Sequence, residues 1–216
     1  MIPILTVVGM AITVSVCGST GGLGRELCQQ ALEQNIDTVA LVRTAGAEIR
    51  VPNRDAWFED RSSRQPLISH PRLSTMHHDD LVRTGLRYNA LVLALGGKPF
   101  KEDTTTEVVR LLCQNVPPSC NRVCLVSAFG VEDPDASLQW MTSWYLRGVY
   151  RAKAAQEDIV RALSSRGIDV LITRPRALCY GPTPVPLATP REQLARDILT
   201  WCQTGVCPRD LLEISG

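Results

Sequence analysis

Short continuous apolar runs alternate with segments in which apolar residues recur every three or four positions, from Ile12 almost to the end of the chain. The runs cover residues 12–17, 38–42, 73–77, 90–95, 123–127 and 170–173. Each is too short for a helix, and all but 73–77, a weaker candidate, are mostly apolar at consecutive positions, the pattern of a strand covered on both faces. Between the first two, Leu23, Leu27, Ala31 and Leu32 share one face of a helix predicted over 23–34. Further helical patterns lie at 105–114, 148–164 and 190–202. For the last of these, Thr189 is expected to cap the helix, with Pro190 at its first position and Glu192 returning a hydrogen bond. Strands separated by helices, joined by right-handed crossovers, predict an α/β fold: one Rossmann-like domain over residues 12–216, built on a doubly wound parallel sheet.

Three stretches stand apart from that alternation. Residues 44–72 are long, polar and mixed in charge, with Trp57 and Phe58 as an isolated aromatic pair and no crossover helix in view. Residues 129–147 read as irregular, and their Trp140, Met141, Trp144 and Tyr145 suit a lid, a contact with another subunit, or ordinary packing over the sheet edge. Residues Met1 to Gly24 carry no charged side chain, yet no Lys or Arg precedes the apolar part and it breaks up in Gly-Ser-Thr-Gly-Gly. That pattern does not finish a membrane helix, so residues 1–11 are expected to be a peripheral extension.

Composition narrows the function classes. The 216 residues suit one domain, and a 44% hydrophobic content is enough to build its core. Twenty-three Lys and Arg against 22 Asp and Glu leave no positive field for a nucleic-acid backbone or an anionic membrane. Small-molecule chemistry by a monomer or homodimer is the expectation. The eight cysteines sit mostly inside apolar runs and form no Cys-x-x-Cys pair, which points to buried reduced thiols in a cytoplasmic protein without a metal site.

The most specific chemical signal is the run Gly18, Ser19, Thr20, Gly21, Gly22, Leu23, Gly24, set between the first strand and the first helix. Glycines there let the backbone turn tightly and approach a pyrophosphate, whose charge meets the free N–H groups of the helix N-terminus. A tight turn without a ligand is the alternative. The second strand ends in Arg43 where a carboxylate would favour the ribose hydroxyls of NAD(H). Arginine attracts a 2′-phosphate instead, so NADP(H) is favoured over NAD(H), unless Arg43 only faces solvent. The third strand runs into His77, His78, Asp79, Asp80 and Leu81. An adenine-side role for Asp80 and Leu81 is preferred to a metal site, because neighbours on an extended chain point to opposite faces.

These segments, with ALVLALGG, VCLVSAFGVEDP and RAKAAQEDIVRALSSRGIDVLITRP, resemble an atypical short-chain dehydrogenase/reductase of the NAD(P)H-binding NmrA-like group, the flavin reductase/biliverdin-IXβ reductase type in particular. The resemblance covers nearly all of residues 12–203 and implies a hydride-transferring reductase acting on a small or planar acceptor: a flavin, quinone, tetrapyrrole or carbonyl compound. It implies that Ala94, Leu95 and Gly96 lie along the cofactor, that Ser127 approaches the nicotinamide, that Pro175, after the sixth strand, supports the nicotinamide side and that Lys153 sits near the nicotinamide ribose. Two departures bear on catalysis. Tyr150 and Lys153 are three positions apart where the conventional Tyr-x-x-x-Lys pair is four apart, and Arg176 stands where the flavin/biliverdin reductases carry a histidine. Tyr150 and Lys153 still share a helical face, so Ser127, Tyr150 and Lys153 are the candidate catalytic residues, Ser127 bonding the acceptor and either water or Tyr150 delivering the proton. Arg176 suits an anionic or planar substrate rather than acid catalysis. A non-catalytic dinucleotide sensor, regulator or assembly factor is the rival reading, supported by the altered Tyr–Lys spacing. A sugar-nucleotide epimerase is disfavoured, because only about 40 residues follow the sixth strand, too few for a substrate domain.

Overall fold

The computed structural model describes residues 12–54, 65–96, 104–131, 140–180 and 188–207, with side-chain surroundings omitted for 140–147. The 1–11 extension and the Trp57-Phe58 pair lie outside the described residues. Six parallel strands form the central sheet: β1 (Thr13–Cys17), β2 (Asp37–Val42), β3 (Leu73–His77), β4 (Ala90–Leu93), β5 (Arg122–Val126) and β6 (Asp169–Thr173). Their spatial order is β3-β2-β1-β4-β5-β6, so the winding reverses direction at β1. The fold is the expected Rossmann-like α/β domain. In such sheets, ligands bind at the carboxyl ends of the strands where the order reverses, here between β1 and β4.

Strand residues feed two cores by alternation. Val14 and Val16 of β1, Ala90 and Val92 of β4, and Cys124 and Val126 of β5 face helices α1 (Gly22–Glu33) and α5 (Arg191–Thr204), meeting Leu27, Ala31, Leu194 and Ile198. Leu91, Leu93, Val123 and Leu125 face the other way, toward α2 (His78–Thr84), α3 (Thr104–Gln114) and α4 (Trp140–Arg161), where Leu81, Val109, Leu112 and Val160 cover them. Helices on both faces explain why the strands read as continuous apolar runs.

Three local expectations are corrected. Residues 140–147, read as irregular, belong to α4. The stretch after β3 is not a strand end: His77 caps α2 and the chain is helical from His78, with Asp79 and Asp80 in the first turn. The last helix begins one residue later than the cap signal indicated. Thr189 pairs with Leu178 in a small parallel ladder of β7 (Ala177–Cys179) and β8 (Ala188–Pro190), leaving Pro190 as the N-cap with no side-chain capping bond. Pairing Thr189 into a ladder removes it from the capping position.

The described parts of the 44–72 stretch are ordered by contacts distant in sequence. Ile49 is buried in the α1 side of the core, and Val51 and Ile68 bond across to Pro66 and Ile49. Arg54 donates to the fully buried Glu26 carboxylate on α1 at 2.6 Å, where Gln30 also donates. This clamp holds the segment after β2 against the helix that opens on the reversal point.

Candidate functional site

A cleft of about 710 Å³ opens at the carboxyl edge of the sheet, lined by the ends of β1, β2, β4 and β5, by the start of α1 and by one face each of α3 and α4. Its floor is the glycine loop. Gly18 has φ +88°, and a Cβ there would come 2.4 Å from the Ala94 carbonyl oxygen. A Cβ on Gly24 would come 2.1 Å from the Gly18 carbonyl oxygen. Both contacts are with backbone, so only glycine lets the loop fold back on itself and on the end of β4. The Gly21 N–H donates to Gly18 O at 2.9 Å, closing the turn. Ser19 faces inward and donates to the Leu41 carbonyl at 2.9 Å, tying the loop to β2. At α1 the first turn holds no acidic residue and no side chain caps it, which leaves its amide donors directed at the cleft. Gly18, Thr20, Gly21, Gly22 and Leu23 line the cleft; Ser19 and Gly24 shape it from behind.

At the β4–β5 side, Ala94, Leu95, Gly96, Ser127 and Lys153 line the same cleft. The Lys153 ammonium, on α4, donates to Leu95 O at 2.7 Å and Val126 O at 2.8 Å, so it bridges the ends of the two strands. Ser127 donates its hydroxyl proton to Glu157 at 2.5 Å. Glu157 is 1% exposed and also accepts from Arg174, on both carboxylate oxygens, and from Arg161. Burial alone would raise its pKa; hydrogen bonds from Arg174 and Ser127, with the charges of Arg174 and Arg161, outweigh burial and hold the carboxyl below its ordinary range. Glu157 therefore remains an acceptor at neutral pH, and Ser127, its proton engaged, offers a lone pair to whatever occupies the cleft.

The helix register of α4 decides the tyrosine question. Val149 and Lys153, one turn apart, line the cleft, whereas Tyr150 does not. The place four residues before the lysine is thus apolar, and the expected pairing of Tyr150 with Lys153 at the site is corrected by the roughly 100° that separates successive helical positions. Pro175 and Arg176 also lie outside the lining; the Arg176 guanidinium stacks on Phe129 at 4.9 Å, and Pro175 O accepts from the Phe129 N–H. Cys17 reaches the cleft at the end of β1, but burial pushes its thiol up to about 12, so it is a neutral wall and not a nucleophile.

At the β2 side, Arg43 lines the cleft beside Arg50 and Glu48, with Arg50 paired to Glu48 and donating to Gln65 O. Asp80 and Leu81 do not line it: Leu81 is buried beneath α2, and Asp80 pairs with Arg83 on the helix surface. His78 takes the place expected of them. The turn into α2 also brings ligand atoms of His77, His78 and Asp79 within 4.8 Å of one another, so the extended-chain argument that kept them apart does not hold. They are spent on each other and on the backbone: His78 Nδ1 lies 2.9 Å from Asp79, and His77 Nε2 lies 2.8 Å from the Arg43 carbonyl.

The model of the NAD(P)H-binding family matches residues 18–197, from the start of the glycine loop into the first half of α5. The chain is a member of this NAD(P)H-binding family. No curated protein matches its sequence. Among solved structures it is similar to the anaerobillin reductase ChuY from Escherichia coli, with TM-score 0.62 and 16% identity over 89% of this chain and 91% of that one. A short-chain dehydrogenase from Streptomyces avermitilis gives TM-score 0.61 and 17% identity over 92% and 86%. The Bordetella bronchiseptica enzyme WbmH, solved with NAD+, gives 0.58 and 16% over 90% and 73%. At such identities these likenesses establish the shared fold.

The cleft of this NAD(P)H-binding chain suits a dinucleotide on its own geometry. Its glycine loop has no room for side chains, the helix it opens is uncapped, and the described lining carries five cations, Arg25, Arg43, Arg50, Lys153 and Arg191, against one carboxylate, Glu48. Three of those cations escaped sequence reasoning. Arg25 follows the glycine run directly and its spacing within the first helical turn was the available signal. Arg50 and Arg191 carry no motif and reach the cleft only through tertiary packing. Among the described residues, no helix is long and apolar enough to cross a membrane, and seven of the eight cysteines are buried thiols.

Proposed function

We propose that this chain is an NADP(H)-dependent reductase that delivers hydride to a small or planar acceptor such as a flavin, quinone, tetrapyrrole or carbonyl compound. The observation that carries the reading is the convergence on one cleft of an uncapped α1 N-terminus, the cations Arg43 and Arg50 at the β2 end, and Lys153 with Ser127 at the β4–β5 end. Backbone amides of Gly22 and Leu23 would hold the pyrophosphate. Arg43 would meet a 2′-phosphate, with Arg50 adding positive charge beside it. The bound dinucleotide supplies the hydride; the protein supplies position and an electrostatic frame. Lys153 and Ser127 orient the reactive end, Ser127 as an acceptor toward an amide or hydroxyl donor. The apolar Val149 offers no proton at the place of the conventional tyrosine, and water is the proton source of this proposal.

The first test is binding. Titration with NADPH followed by its fluorescence is expected to saturate at micromolar concentration, and Gly21→Asp, which puts a carboxylate at the α1 N-terminus, is expected to abolish it. If wild type shows no saturation and Gly21→Asp changes nothing, the reading is wrong. A second reading, a dinucleotide sensor without turnover, is favoured by Val149 standing where conventional relatives place their tyrosine. Tight NADPH binding without its oxidation across flavin, quinone, biliverdin and carbonyl acceptors would establish the sensor in place of the reductase.

A further inference from the structure

Arg191 is the first residue of α5, is 8% exposed and lines the cleft. Among the described residues it pairs with no carboxylate, and its Nη1 makes no hydrogen bond. Its guanidinium lies 4.7 Å from the centre of the Tyr180 ring. Tyr180 is itself buried and donates its hydroxyl to the carbonyl of Gly22, the first residue of α1, at 2.8 Å. The ring is therefore a spacer that sets Arg191 at a defined place beside the opening of the glycine loop. The two helices are locked in that relation: Gln30 of α1 donates to Glu192 O at 2.9 Å, and Leu27 and Ala31 pack with Leu194 and Ile198.

The energetics of this placement are incomplete without an anion. Burying a guanidinium is costly even after relaxation. A face-on aromatic contact returns only part of that cost. The N-terminal position adds to the cost, because a cation there opposes the helix dipole. Natural interiors settle such charges by pairing them, and no described side chain does so here. Arg25, 5% exposed, lines the same part of the cleft from α1.

We propose that Arg191 is an oxyanion-binding arm of the cleft, stacked on Tyr180 and held ready beside the α1 N-terminus for a phosphoryl or carboxylate group. The inference rests on the dinucleotide reading for its principal ligand, the bridging pyrophosphate. An acid group on the acceptor would supply the same chemistry, and the experiment separates the two sources.

Calorimetry on wild type, Arg191→Met and Arg191→Lys would use ADP-ribose, NADH, NADPH and inorganic pyrophosphate as probes, with circular dichroism and thermal melts to verify folding. If the pyrophosphate is the ligand, Arg191→Met weakens ADP-ribose, NADH and NADPH by a common factor of about 10–100. Arg191→Lys, keeping charge but losing the flat fork, falls between. If the acceptor's acid group is the ligand, dinucleotide affinity is unchanged, whereas the KM of a carboxylated acceptor rises and that of its ester does not. Dinucleotide affinity and acceptor KM both unchanged in the folded variants overturn the proposal. Should wild type bind no dinucleotide at all, the functional reading fails separately, and the arm is judged by pyrophosphate: binding lost in Arg191→Met sustains it, and no wild-type binding or no loss overturns it.

Discussion

Single atoms decide what the glycine loop can be. At Gly24 an added Cβ would meet the Gly18 carbonyl at 2.1 Å, backbone against backbone, so nothing flexible can yield. Gly24→Ala is expected to lower the melting temperature by several degrees and to weaken NADPH binding at least tenfold, whereas Gly46→Ala, with nothing within 4 Å of the new carbon, costs only its positive φ and leaves binding intact. A thermal melt paired with a fluorescence titration checks both. Arg43 is a test of another kind. If it faces a 2′-phosphate, Arg43→Ala raises the Kd of NADPH by roughly 10–100-fold and leaves that of NADH nearly unchanged. Equal effects on the two cofactors would remove Arg43 from phosphate recognition. The glycines and Arg43 were legible from the chain because a motif next to a strand end is local information. The direction of the Ser127 proton was not, since it depends on Glu157, 30 residues away.

At the scale of elements, α4 joins the site to the core. Its Lys153 ties β4 to β5, and its Glu157 gathers Ser127, Arg161 and Arg174. Glu157→Gln leaves two arginines with a neutral partner and is expected to cost roughly 3–5 kcal/mol at neutral pH, read as a shift in the denaturant midpoint. The sign with pH follows from the lowered Glu157 pKa. Its contribution is complete above the ordinary carboxylate value of about 4.3 and is lost as pH falls through the lower folded value, so the gap between wild type and Glu157→Gln closes in acid. A gap constant down to about pH 2 would show that the carboxylate is not what the variant removes. The periodicity of α4 reads as helical from residue 148 onward, and its first two turns read as irregular although Trp140, Met141, Trp144 and Tyr145 already recur at i, i+4 spacing. The same element shows why Tyr150 was misplaced: spacing puts it within a turn of Lys153, but only the helix's rotation against the sheet says that Val149 faces the cleft.

The whole molecule carries a net charge of +1, yet the described lining of its cleft is strongly cationic. Balance over the surface and imbalance in the crevice together suit a small polyanion better than a polymer. NADPH at a hundred times its Kd is expected to stabilise the fold by about 2.7 kcal/mol. For a domain of this size that is a rise of roughly 5–11 °C in melting temperature. A melt unmoved by saturating NADPH and NADH would count against the dinucleotide site altogether. By itself the sequence determined the layered α/β fold, the succession of the six sheet strands along the chain, and the glycine loop at the head of the series, because apolar periodicity and glycine geometry act over a few neighbouring residues. Tertiary structure alone decided which cations share the cleft, where the Ser127 proton points and which face of α4 is presented, because those depend on how helices rotate against a sheet. Arg50 and Arg191 are 141 positions apart and meet at one crevice only after the sheet has wound in both directions from β1.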